Sequence, residues 1–522
     1  MNKPLFISLI SVTLLSTNIY AESMYERFQT MQKELETLKQ EVATLKEEKN
    51  SKSEMQKDAD EESDAIIEIK SKNEESEEDD LEETLDFFDS RISKLNRATS
   101  GNRLKLGADY RFTLDNIKYT MADKSKAKND ALMTNRLWVN MFWKANNELS
   151  FHAQVAYQKA YGARSGASNP TSSSYENFDW ITNENAYDGL MRLKNAYFFY
   201  QNDTFASLDI PWTFSIGRRP STNGHLINFR DNDGASSPMA HTVNVEFDGL
   251  SSKFSLLKDW GTYVKFCAGR GMSNAAPKFS TTPYSETTDI PEIDLVGLIF
   301  VPFNNGHYSF NTQYYYANNL IDSISLTDQT QGFDTVGGLH SFTANIMIQG
   351  IGNEWSEFLD DSTLFISGAY TKTNPKNNKR MLYGAVDAGG ATQTGESKTG
   401  YSYWIGTQFP SLISKDGKWG LEFNHGSQYF RSITYAEDTN IGSKVAVRGD
   451  AYEAYFTEYL VEKYLSMQIR YTYIDYDYTG SNGFFGETSG ASYSIEDAIN
   501  FGMGNIVVDK AQDIRFYIRY KY

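Results

Sequence analysis

Ile514-Arg515-Phe516-Tyr517-Ile518-Arg519-Tyr520-Lys521-Tyr522 closes the chain, and its reading governs everything before it. Ile514, Phe516, Ile518, Tyr520 and Tyr522 share one parity; Arg515, Tyr517, Arg519 and Lys521 share the other. Successive strand side chains point to opposite faces, so the stretch turns one face to an apolar medium and the other to water or a lumen. It stops on an aromatic ring.

The same period of two recurs backwards along the chain. Its clearest instance is Leu104, Leu106, Ala108, Tyr110, Phe112 and Leu114 alternating with Lys105, Gly107, Asp109, Arg111 and Thr113. Sixteen segments read this way: 104–115, 132–144, 148–159, 190–201, 211–218, 249–258, 261–270, 291–302, 307–317, 337–350, 362–372, 400–410, 418–428, 449–459, 465–477 and 510–522. Most approach the roughly 9–11 residues that a tilted strand needs to cross a bilayer. Odd connections are long (116–131, 160–189, 219–248, 271–290, 318–336, 373–399, 429–448, 478–509), and even ones are mostly short. Transmembrane barrels have this asymmetry and an even strand number. The expected fold is an all-β, antiparallel transmembrane barrel of about 16 strands, with 14 to 18 compatible with the boundaries. The last strand should pair with Leu104–Asp115 so that no edge stays open.

Composition agrees. The 522 residues include 34 Tyr and 32 Phe, yet mean hydropathy is −0.53. A wall half lipid-facing and half water-facing has that character. One cysteine, Cys267, excludes a disulfide framework and c-type haem attachment. The net charge of −18 offers no basic patch for nucleic acid.

Ahead of the barrel (99–522), residues 1–21 read as a secretory signal peptide, with Lys3 before an apolar run. In 22–50, Phe28, Leu35 and Val42 alternate with Met31, Leu38 and Leu45 at heptad spacing, which predicts an N-terminal α-helical coiled coil. Residues 51–80 read as an acidic flexible linker. Leu81, Leu85, Phe88, Ile92 and Leu95 mark a short helix over 81–98. The N-terminal region is expected in the periplasm and the barrel in the outer membrane of a Gram-negative bacterium, in contact with its lipid.

Opposite the apolar parity the strands carry polar residues, so Lys105, Asp109, Arg111, Arg136, Arg470, Arg515 and Arg519 are expected to face the lumen. The third long loop joins Arg218 and Arg219 to Arg230, Asp231 and Asp233. Folded into the lumen, those arginines facing those aspartates would form a pore constriction that selects solutes by charge; the plainer reading is ion pairs that pin the loop. Asp231-Asn232-Asp233-Gly234 opens like a calcium loop, but the twelfth position is Thr242 and carries no carboxylate, so no metal is expected. No histidine can be paired with an acid or a serine at catalytic reach, so neither enzyme activity nor a cofactor is expected.

This arrangement resembles trimeric bacterial porins that carry an N-terminal coiled coil. More narrowly, the first strand, Gly217-Arg218-Arg219-Pro220-Ser221-Thr222 and Val245 to Gly249 resemble an outer-membrane family called domain of unknown function 3373, over about residues 85–522. The final strand and Tyr522 resemble the signal that barrel-assembly machinery reads. The resemblance implies a homotrimeric porin for passive diffusion of small hydrophilic solutes or ions. The alternative is a structural outer-membrane protein with a plugged barrel and a coiled-coil tether to cell-wall peptidoglycan.

Overall fold

The computed structural model describes residues 104–161, 191–220, 222–272, 292–323, 333–352, 355–377, 379, 381–382, 396–434, 436–480 and 492–522. The expected signal peptide, coiled coil, linker and short helix lie outside these residues.

Sixteen antiparallel strands close into one barrel. They are β1 (Leu104–Met121), β2 (Lys126–Lys144), β3 (Leu149–Ala160), β4 (Met191–Asn202), β5 (Trp212–Arg219), β6 (Phe247–Leu257), β7 (Thr262–Met272) and β8 (Ile293–Asn304). The second half comprises β9 (Tyr308–Ser323), β10 (Phe333–Gln349), β11 (Thr363–Pro375), β12 (Thr399–Pro410), β13 (Lys418–Gly426), β14 (Gly449–Val461), β15 (Leu465–Tyr476) and β16 (Val508–Lys521). Every expected strand overlaps one of these. The first connection is the exception to the long-loop reading: β1 and β2 run on past 115 and 132, leaving only 122–125 between them. Their longer ladder supplies backbone partners that a loop over 116–131 would lack.

Closure is made by the terminal stretch. β16 pairs with β1 from Asp109↔Lys521 to Met121↔Val508, and Tyr522 exchanges backbone hydrogen bonds with Ala108 at 2.8 and 2.9 Å. Two of the short turns, 145–148 and 305–307, are built on asparagine: the Asn146 side chain accepts from the Glu148 and Leu149 amides at 2.9 and 2.7 Å. The Asn305 side chain accepts from the His307 and Tyr308 amides at 3.0 and 2.7 Å, while Gly306 takes a φ of 88° that a side chain would resist.

The outer face carries large exposed apolar side chains around the barrel, among them Leu250, Phe266, Leu298, Phe300, Phe342, Ile346, Ile366, Ile405, Leu421, Ile469 and Ile518. Such a band is intolerable in water and suits hydrocarbon. At the short-turn end, Trp143, Phe151, Trp260, Tyr308, Tyr464 and Tyr522 are exposed in the manner of an interfacial aromatic girdle.

The lumen departs from the expected water-filled interior. Two long connections, 220–246 and 427–448, fold inside it and join through a parallel pairing of Val243–Asn244 with Ile433–Thr434. Part of the wall is apolar to receive them: Ile293, Leu295, Ile299 and Val301 of β8 point inward and pack in one cluster with Val243, Val245, Tyr315, Leu339 and Ile433. Inward glycines make room for inward rings. A Cβ at Gly420 of β13 would fall 2.0 Å from the Tyr455 ring of β14, and one at Gly297 of β8 would fall 2.2 Å from Tyr315 of β9.

Gly420→Val is therefore expected to overpack the wall at a cost of about 1–3 kcal/mol. Gly368→Val, where a Cβ meets nothing within 4 Å, should be silent. Unfolding temperature in detergent, followed by heat-dependent gel mobility, should fall for the first variant only.

Candidate functional site: a charged seam in the lumen

Three arginines meet on one row where the barrel closes. Arg111 of β1 lies directly opposite Arg519 of β16 on one side and Arg136 of β2 on the other. Like charges at cross-strand separations of ~5 Å repel by about 3 kcal/mol at an effective dielectric near 20. All three are buried, so the row needs anions close by.

Asp109 supplies the first. It lies on the wall between Arg136 (3.2 Å) and Arg519 (2.5 Å). The others come from the loops. The Asp438 carboxylate accepts both terminal nitrogens of Arg111 at 2.6 and 2.7 Å and one of Arg136 at 2.6 Å. Asp233 accepts from Arg519 at 2.9 Å and Lys521 at 2.6 Å, and Asp231 from the Tyr517 hydroxyl at 2.9 Å. Further along, Arg470 and Arg515 face each other; Arg515 is held by Asp115 at 2.5 Å and donates to the Asp438 carbonyl at 2.7 Å. Arg470 is 4.0 Å from Glu453.

The opposite arrangement stands nearby with signs reversed. Glu422 of β13 and Glu453 of β14 are cross-strand neighbours, and Lys444 from the loop 427–448 bridges them at 2.6 and 2.5 Å. The one loop is thus held by its anion on a cationic wall and by its cation on an anionic wall. At the first of these anchors, Glu437 and Asp438 hold left-handed backbone with φ of 39° and 59°. Non-glycine residues rarely adopt it without outside support. Thr434, Ser443 and the Lys444 amide all donate to the Glu437 carboxylate, and the Arg230 guanidinium donates to its carbonyl. Burial pushes the Glu437 carboxyl above its ordinary range, against the Ser443 hydroxyl and Arg230, which act to lower it.

The loop 220–246 crosses the lumen on polar contacts. Met239 donates its amide to Gln313 of β9 at 2.7 Å, Thr242 meets Thr343 of β10 at 2.7 Å, and Gln408 of β12 donates to the Phe229 carbonyl at 2.9 Å. His241 lies between Ser367 of β11 and Ser402 of β12 at 2.8 and 2.9 Å. Burial drives its pKa down to about 3, so a neutral ring serves as donor to one hydroxyl and acceptor from the other. For Asp231, burial acts to raise the carboxyl, but Arg230, Arg470, Arg111 and Arg519 outweigh it and pull the pKa to about 2.

Of the residues expected to face the lumen, Asp109, Arg111, Arg136, Arg470, Arg515 and Arg519 do so and come together in the seam. Lys105 has the lumen parity but sits at the exposed start of β1. The expected constriction divides. Arg230 lies 3.6 Å from Asp231. Arg218 and Arg219 do not face Asp231 or Asp233: Arg218 is 3.4 Å from Glu246 and 3.6 Å from Asp248, and Arg219 stacks on Tyr197 at 4.1 Å. They sit at the end of β5, where the returning strand β6 brings the acids of 246–248 alongside. Asp438, Lys444 and Glu453 were not singled out from sequence, and their only signal was charge within a long loop or at lumen parity. His152 stacks on Tyr197 at 5.0 Å beside Ser150. His425, by contrast, meets Asp450 at 2.7 Å on the outer face, a pair that spacing did not reveal.

Fold and seam together define a porin-like barrel whose lumen is partly filled by its own loops. The chain belongs to the family described as "Protein of unknown function (DUF3373)", whose model matches residues 126–522. No curated protein matches the sequence. Among solved structures it is similar to OmpT, an outer membrane protein of Vibrio cholerae, with 12% identity over 80% of this chain and 97% of that one and a TM-score of 0.41. Salmonella typhi OmpF gives 11% identity over 81% and 99% with a TM-score of 0.40, and Pseudomonas putida OprB gives 11% over 82% and 96% with 0.43.

Asp438→Ala leaves Arg111 and Arg136 buried without their shared anion, a loss of about 3–5 kcal/mol. Amide exchange across 430–448 should accelerate at least tenfold while the strands stay protected; unchanged exchange would contradict the anchoring role.

Proposed function

We propose that this chain is an outer-membrane channel for passive diffusion of small hydrophilic solutes or ions, with 220–246 and 427–448 narrowing the lumen. A sixteen-stranded barrel is wide enough to hold an aqueous path, unlike an eight-stranded one, which side chains fill. The observation that carries the reading is polar free space on the short-turn side of the crossing loop. One cavity of about 750 Å³ is lined by Asn228, Asn232, Ser236, Lys265, Asn311 and Gln349. A second, of about 930 Å³, is lined by Asp233, Lys418, Tyr459, Lys463, Arg519 and Lys521.

In this reading the short turns and the N-terminal region face the periplasm, lipid contacts the outer band, and the heptads of 22–50 favour a homotrimer. The last strand with Tyr522 is the part offered to barrel-assembly machinery, and the chain performs transport without catalysis. The constriction is built from Arg230, Asp231 and Asp233 with Arg111, Arg136, Arg519 and Asp438, rather than from Arg218 and Arg219.

A second reading is favoured by the depth of loop burial, since Phe430, Val445 and Ala446 have no exposed surface. There the barrel is a plugged structural element and the coiled coil a tether to peptidoglycan. Purified protein in planar bilayers separates the two: stepwise conductance, kept after removal of 22–98, is expected for a channel. A sealed bilayer at high protein load overturns the channel and leaves the tether.

A further inference from the structure

Among the described residues, like-charged neighbours recur on the lumen wall, most of them with a counter-ion built in. Arg519, Arg111 and Arg136 have Asp109, Asp233 and Asp438; Glu422 and Glu453 have Lys444. Lys194 of β4 and Arg218 of β5 share Glu246, at 2.5 and 3.4 Å. An exception is Lys253 of β6 and Lys265 of β7, which are direct cross-strand partners on the lumen parity. Among the described residues neither forms a salt bridge with any carboxylate. Lys265 donates to the Ser237 hydroxyl at 2.6 Å, and Lys253 lies over the Tyr263 ring at 4.1 Å. Both contacts orient an ammonium group and neither neutralises it.

Both lysines line the 750 Å³ cavity, together with Lys418, His225 and the amides of Asn228 and Asn311. Lys418 also lacks a carboxylate partner among the described residues; it approaches Gln408 at 3.5 Å. The one acid on the lining, Asp233, is already engaged by Arg519 and Lys521. The cavity therefore holds uncompensated positive charge beside hydroxyl and amide donors, in a volume that suits a small molecule. Asn304 at the end of β8 and Gly306 of the turn that follows also line it, so it is reached from the short-turn end.

We propose that this cavity is a binding site for a small solute bearing an oxyanion, phosphate or carboxylate, held between Lys253 and Lys265. The shared chemistry is a compact anion accepting from two ammonium groups, with Ser237 and the asparagine amides orienting its neutral part. The site rests on the channel reading for its role, as a stop on the path through the lumen, but not for its existence.

The test is equilibrium dialysis of the full-length protein in detergent against labelled inorganic phosphate and, in a second arm, labelled succinate. At least one arm should give a saturable site, one per chain, and the arm that binds more tightly assigns the group. Lys253→Gln with Lys265→Gln should weaken it at least tenfold, whereas Lys463→Gln, in the other cavity, should not change it. Absence of saturable binding in both arms, or equal affinity in the double variant, would overturn the site. If the double variant does not fold, Lys253→Gln alone decides: about a fivefold loss is expected, and no loss overturns. The outcome is independent of conductance. Binding by a barrel that seals bilayers refutes the channel and keeps the site; conduction without binding does the reverse.

Discussion

The structure depends on a repulsion that it cannot leave uncompensated. Closing the barrel sets Arg519, Arg111 and Arg136 side by side on β16, β1 and β2, because the register that pairs Lys521 with Asp109 allows nothing else. One wall aspartate is too little charge for three buried guanidinium groups. Loop carboxylates supply the remainder, so the electrostatics of barrel closure and the position of two distant loops become one problem. Truncating a single partner in such a network costs more than the pair contributes, because the remaining charge is left buried and alone.

From this follows the character of the lumen. The loop 427–448 is fixed at two points of opposite sign, Asp438 on the arginine row and Lys444 on the Glu422–Glu453 pair. A loop held this way resists sliding, since any shift that keeps one contact breaks the other. It then gives the loop 220–246 a partner at Val243–Asn244, and the inward apolar face of β8 closes over both. Electrostatics sets the position and apolar burial supplies much of the adhesion.

Most of the barrel was legible in the sequence because period-two alternation and turn chemistry are local. Ile514 to Tyr522 carried strand identity, lumen parity and closure together, and Arg515 and Arg519 do point inward. What could not be read was which charges meet. Nearness along the chain points Arg218 to Asp231 and Asp233, yet hairpin geometry delivers Glu246 and Asp248 to it. The partner of Arg111 lies 327 residues away, in a loop with no periodicity. One local signal does bear on the lumen: Leu295 to Val301 is almost unbroken apolar sequence, the mark of a strand buried on both faces rather than one. It announced that the lumen would be filled opposite β8.

Loop carboxylates on the arginine row hold both loops in the lumen, and in the proposed channel they would thereby set its width. Single-channel recording of the Asp233→Ala, Asp438→Ala double variant, which removes the carboxylate each loop places on the row, gives the sharpest test beside the wild type. Released loops should give conductance steps at least twofold larger, with frequent switching between levels. Steps of wild-type size and steadiness would mean that these carboxylates do not hold the loops.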